Sequence, residues 1–182
     1  MLQIFTESVP ALSFRQAMLS DAASIAVLIN TAYRGEASKQ GWTTEAYILD
    51  GVRTSTHEIQ QLIESENSTF IVCNQGDDLI GSIHLNKTHD SVHIGMLAVK
   101  PHLQNLNVGK QILANAELFA KKAWQAHKFV MLVITMRHEL IAFYERRGYI
   151  RTGVLQEFPV KPELWMPKVE GLKLERLEKL ID

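Results

Sequence analysis

The chain has 182 residues, 46% of them hydrophobic, which suits one compact domain with a sizeable core and leaves little room for a second. Its 19 Lys and Arg nearly balance its 20 Asp and Glu, and the formal charge of −1 provides no broad attraction to nucleic acid or to an anionic membrane. Neither is expected as a partner.

The opening run Met1-Leu2-Gln3-Ile4-Phe5-Thr6-Glu7 lacks the basic stretch and apolar core of a signal peptide, and no later apolar run approaches membrane-spanning length. A soluble protein is expected. Residues 13–17 read as a first strand, and Ser20 and Asp21 as caps of a helix whose apolar stripe is Ile25, Leu28, Ile29, Ala32 and Tyr33. Residues 34–55 are polar and turn-rich, with Gly35, Gly41 and Gly51, and read as a long irregular connection. From Thr56 a second helix follows, with Glu58 in its first turn and Ile59, Leu62 and Ile63 on one side.

The period then changes. Residues 69–74, 79–87 and 92–99 read as strands joined by the turns Gln75-Gly76-Asp77-Asp78 and Thr88-His89-Asp90-Ser91, an antiparallel meander. Cys73, the only cysteine, ends the apolar run Phe70-Ile71-Val72-Cys73 and reads as a small core side chain in a reducing, cytoplasmic protein. Val108, Ile112, Ala116, Phe119, Ala120 and Ala123 mark a helix, and residues 129–134 a buried strand, so strand, helix and strand form a right-handed parallel crossover. A helix over 138–147 stops at Gly148, and residues 150–154 and 164–168 read as closing strands. The tail, 170–182, carries Leu172, Leu174, Leu177, Leu180 and Ile181 among charges and reads as an amphipathic helix or docking segment. The expected fold is α/β (α+β), with a mixed, mostly antiparallel sheet, one β-α-β crossover and flanking helices.

The segment from Met96 to Lys110 runs from strand through loop into helix. The first N–H groups of such a helix lack intrahelical acceptors and, with the positive dipole end, can hold an anion. Gly109 presents no side chain to obstruct a phosphate, and Asn107 tolerates a left-handed backbone. With Gln104, Asn107 and Gly109 following Val99, the segment resembles the signature of the GCN5-related N-acetyltransferase family: Gln or Arg, two residues, Gly, one residue, Gly or Ala. The family usually has Gly where this chain has Asn107. A second hallmark lies in Arg137-His138-Glu139-Leu140-Ile141-Ala142-Phe143-Tyr144-Glu145-Arg146-Arg147-Gly148-Tyr149, where the family often has Asn in place of Arg137. The resemblance covers roughly residues 13–168.

The resemblance implies the acyl-CoA N-acyltransferase fold and direct acetyl transfer from acetyl-CoA to an amine within a ternary complex, without a metal or a covalent enzyme intermediate. It implies that backbone groups of Leu97, Ala98 and Val99 hold the thioester carbonyl and pantetheine. Gln104, Asn105, Leu106, Asn107, Val108, Gly109 and Lys110, with Arg137, would hold the remainder of the cofactor. Tyr144 would sit at the CoA sulfur and protonate the departing thiolate; alternatively, Phe143 and Tyr144 are ordinary core aromatics.

Trp42, Glu45 and Arg53 fall in the connection that lines the acceptor side in this family, where Trp42 could stack on an amine and Glu45 pair with it, or Arg53 could grip an acceptor carboxylate. The plainer alternative has Trp42 packing the loop and the two charges paired structurally. His93, six residues before Val99, matches the place of a glutamate base in the histone-acetylating branch and shares a strand direction with Gly95, Leu97 and Val99. His84 and then Glu45 are the substitutes. Metal-site spacing is lacking around His84, His89 and His93, and there is no Gly-x-Ser-x-Gly elbow. Two other functions compete: a catalytically silent acyl-CoA-binding module, motivated by Asn107 and Arg137, and an interaction protein using the Leu-rich tail, which either assembles subunits, as in a homodimer, or closes its own domain.

Overall fold

The computed structural model describes residues 11–181; the leader read for targeting signals lies outside them. Strand β1 (Leu12–Gln16) is followed by α1 (Ala22–Tyr33), the single turn α2 (Gly35–Ser38), the short β2 (Leu49–Gly51) and α3 (Thr56–Glu64). The meander is β3 (Ser68–Gln75), β4 (Asp78–Lys87) and β5 (Val92–Val99); α4 (Val108–Trp124) leads to β6 (Lys128–Ile134), and α5 (His138–Glu145) to β7 (Ile150–Glu157), β8 (Trp165–Pro167) and β9 (Lys173–Leu180). Seven strands form one sheet in the order β1-β3-β4-β5-β6-β9-β7, while β2 and β8 pair separately.

Both faces of β3 are covered, which is why residues 70–73 form an unbroken apolar run rather than an alternating one. Phe70 and Val72 face α1 and α3, packing with Ile25, Ile29 and Ile59. Ile71 and Cys73 belong to the opposite core with Ile83, Leu85, Ile112 and Ala116. Burial pushes the Cys73 thiol up to about 11, so it remains protonated. Helix α4 lies close on the sheet because residue 81 is glycine: a Cβ there would stand 2.3 Å from Ile112 Cδ1. Asp21 does not cap α1 with its side chain. Its carboxylate instead accepts from the Met18 N–H and pairs with Arg15, while Ser55 caps α3 by accepting from the Glu58 N–H.

The tail departs from expectation. Residues 173–180 form not an amphipathic helix but β9, inserted antiparallel between β6 and β7. Leu174 and Leu177, three apart, serve opposite faces of the sheet, Leu174 packing with Leu49 and Trp165 and Leu177 with the α4 core. That spacing reads as one helical stripe when the sheet context is unknown. Leu172, Leu174 and Leu177 are therefore buried within the chain's own fold, while Leu180 is 76% exposed, and Arg151 holds the buried carboxylate of Glu175 at 2.5 Å.

Two irregularities open the sheet. Ser82 pairs with Ala98 and His84 with Gly95, so β5 carries one residue more than β4 at Met96-Leu97, a bulge in which Met96 takes φ 47°. The parallel pairing of β5 with β6 extends only over Val92↔Phe129 and His93↔Val130. Beyond that point the two strands part, and each presents a free inner edge.

Candidate active site

The first cavity, about 250 Å³, lies where the strand-loop-helix turn meets α5. Leu97, Val99, Phe143 and Trp42 supply apolar wall, and Asn105, Asn107, Gly109 and Lys110 also line the cavity. Asn107, where the family has Gly, adopts φ 63° and stands as the N-cap of α4; Asn105 is likewise left-handed at φ 66°. Asparagine reaches this region more readily than most residues, so the backbone shape expected of glycine is kept. The first N–H with an intrahelical acceptor is that of Gln111, to the Asn107 carbonyl at 3.1 Å, leaving those of Val108, Gly109 and Lys110 outside the ladder. Gln104 acts as a clasp: its Nε2 donates to the Val99 carbonyl at 3.2 Å and its Oε1 accepts from the Thr43 N–H at 3.3 Å.

Sequence reasoning missed two cations here. Arg146 and Arg147, at the end of α5, line this cavity together with Lys110, and the Arg147 guanidinium lies 3.4 Å above the Phe143 ring. They follow Phe143 by three and four residues, the spacing that brings side chains together on a helix, and that was the available signal. Leu106 is 61% exposed, whereas Val108 and Ala98 are core residues. Of these three, none lines the cavity.

The second cavity, about 430 Å³, fills the opening between β5 and β6. Its walls include Met96, Met131, Tyr33 and Trp165, and its polar lining includes His84, His93, Arg53 and Tyr144. Leu140 borders both cavities. The bulge separates them, with Met96 facing the second and Leu97 the first, and the Tyr33 hydroxyl donates to the Leu97 carbonyl at 3.1 Å. On α5 the neighbours Phe143 and Tyr144 divide in the same way.

Arg137 lies in the second cavity rather than beside the cofactor loop. It donates to Glu45 Oε1 at 2.9 Å and to Thr43 Oγ1 at 2.5 Å, while Arg34 pairs with the other oxygen of Glu45. Glu45, 5% exposed, thus bridges two buried guanidinium groups and is not free to receive an amine. Trp42 stands in the first cavity, 5.8 Å from Phe143 between ring centroids, and does not line the second. Arg53 remains in the second, its guanidinium 5.9 Å from the ring centroids of both Tyr33 and Trp165.

Burial holds the Tyr144 hydroxyl well above its ordinary value, so it is a protonated donor. Burial, with the charge of Arg53 second, lowers His84 to about 4, and its Nε2 is 2.7 Å from Ser68 Oγ. His93 is half-buried and lowered by desolvation, with Arg176 adding to the effect, so it is a neutral imidazole near neutral pH. Among the described residues no group of three His, Cys, Asp or Glu side chains could hold a metal, and no helix is long and apolar enough to cross a membrane.

Solved structures share this architecture at low identity. The ribosomal-protein-S18-alanine N-acetyltransferase of Escherichia coli superposes with a TM-score of 0.71 at 11% identity, over 94% of this chain and 95% of that one. An acetyltransferase of the GNAT family from Streptococcus pneumoniae gives 0.66 at 15%, over 94% and 100%. The spermidine/spermine N-acetyltransferase of Vibrio cholerae gives 0.66 at 17%, over 93% and 92%. No curated protein matches the chain in sequence. The acetyltransferase (GNAT) domain model matches residues 36–160, a span that holds the loop from Gln104 to Lys110, the β5 bulge and Tyr144 of α5; the chain belongs to this acetyltransferase family.

Proposed function

We propose that the protein is an acetyl-CoA-dependent N-acetyltransferase whose cofactor occupies the first cavity and whose amine acceptor enters the second. The observation that carries this is the junction at the β5 bulge, where the two cavities are divided by adjacent residues. The N–H groups of Val108, Gly109 and Lys110 supply the pyrophosphate site, supported by the helix dipole, and Lys110, Arg146 and Arg147 neutralise phosphate charge. Leu97, Val99 and Phe143 give the pantetheine an apolar wall, and backbone groups freed near the bulge hold the thioester carbonyl.

The acceptor nitrogen attacks the carbonyl carbon, the C–S bond breaks, and the thiolate takes its proton from the Tyr144 hydroxyl. His93, neutral and on the cavity wall, receives the proton lost by the amine, directly or through water. Incubation with acetyl-CoA and pooled amines, followed by thiol release and mass spectrometry, tests the reading. Amine-dependent release with a product 42 Da heavier, about one acetyl group, is expected. Tight acetyl-CoA binding without any acetylated product would point to a silent binding module instead.

A further inference from the structure

The acceptor cavity carries an unequal charge lining. Arg34, Arg53, Arg137 and Lys161 face it, against two carboxylates, Glu45 and Glu58. Each carboxylate is already engaged. Glu45 serves both Arg34 and Arg137, and Glu139 stands 3.7 Å from Arg137 Nε, so that cluster is balanced within itself. Glu58 accepts from Thr54 Oγ1 at 2.7 Å and stands 3.9 Å from Lys161 Nζ at the more exposed rim. Arg53 makes no ion pair among the described residues and is held by the faces of Tyr33 and Trp165, two aromatic contacts that orient a guanidinium without neutralising it. His84, neutral beside it, offers no counter-charge.

Resting on the acetyl-transfer reading above, we infer that the acceptor is an amine that also bears an anionic group, which Arg53 binds between Tyr33 and Trp165 while the amine points toward the β5 bulge. A planar, half-buried guanidinium with free donors matches a carboxylate or phosphate, and the surplus positive charge of the cavity disfavours a polycation. The ligand chemistry therefore differs from that named for the Vibrio cholerae spermidine/spermine enzyme, which shares the fold.

Matched acceptors separate the terms: phenylalanine against phenethylamine for a carboxylate, phosphoethanolamine against ethanolamine for a phosphate, and spermidine as the polycation. With acetyl-CoA saturating, at least one anionic member should exceed its uncharged partner in kcat/KM by roughly 10- to 100-fold, and spermidine should be the poorest. Arg53→Gln should bring that ratio close to one, whereas Arg53→Lys, which keeps the charge, should retain part of it. If neither anionic probe is acetylated, or if the ratio persists in Arg53→Gln, the inference is wrong. Turnover of neutral amines or spermidine in that case leaves acetyl transfer standing, whereas failure of the wild type to bind acetyl-CoA in calorimetry removes both.

Discussion

Replacing Glu45 by Gln preserves size and removes one charge from a place where two depend on it. Arg34, Glu45 and Arg137 have side chains only 5–7% exposed, so neither guanidinium can turn to water when its partner is neutralised. Burial already lowers Arg34, with Glu45 the chief opposing influence. Breaking a buried pair by removing one partner costs about 3–5 kcal/mol, and because Gln still offers one carbonyl acceptor the lower end, about 3 kcal/mol, applies here. For a chain of this size that is a fall of roughly 6–12 °C in Tm. Arg137 also holds Thr43, which lines the cofactor cavity, so acetyl-CoA affinity should weaken alongside stability. The control is Asp78→Asn, which breaks the exposed pair with Lys100 and should change stability by less than about 1 kcal/mol. Thermal and urea denaturation of both variants decide the matter. A Glu45→Gln midpoint within about 2 °C of wild type would refute the argument that this carboxylate is structural.

Tyr144→Phe retains the ring packing against Phe143 and Tyr149, so acetyl-CoA binding should survive while kcat falls roughly ten- to a thousand-fold; equal kcat values would remove the acid from Tyr144. His93 is held below its ordinary pKa, so the acidic limb of kcat/KM should lie below about 6.5 and disappear in His93→Ala; an unchanged limb passes the role of base to another group or to water. His84 is lowered from 6.5 to about 4, so the unfolded chain takes up a proton first as pH falls. Its stabilising contribution is complete above about pH 6.5 and lost progressively toward pH 4, about 3 kcal/mol in all, and His84→Gln should flatten that part of the urea-stability profile. A profile as steep as that of the wild type would assign the acid sensitivity elsewhere.

The parts of the fold legible in the sequence were those where a local pattern and its burial coincide. The runs at 69–74 and 92–99 are strands as their pattern predicts, and α5, expected to 147, ends at Glu145, with Gly148 taking φ 88° in the turn that follows. The tail reads as a helix because Leu174 and Leu177 of β9 are divided between two cores, which a one-dimensional periodicity cannot distinguish from a helical stripe. In the site, the strand-loop-helix turn from Gln104 to Lys110 is legible from its residues together with the family resemblance, and Asn107 takes the left-handed backbone that asparagine tolerates. The fate of Glu45 could not. Its partners lie 11 and 92 residues away, and only the folded chain decides whether a carboxylate in a polar loop meets an amine or two buried arginines. Trp42 lies in the first cavity rather than the second for the same reason: its ring partner, Phe143, is fixed by α5 rather than by its own loop.

The central claim, that the turn at the start of α4 binds the pyrophosphate of acetyl-CoA, is tested most directly by calorimetric titration of acetyl-CoA into wild type and Gly109→Asp. A Cβ at residue 109 would meet only Val99 at 3.7 Å and Phe143 at 3.8 Å, ordinary contacts, and an acidic side chain in the first turn favours the helix itself. The variant should therefore fold as the wild type does, while its carboxylate confronts the phosphates. The account predicts one-site binding to the wild type and an affinity lower by roughly ten-fold or more in the folded variant. Equal affinities in the two folded proteins would contradict it.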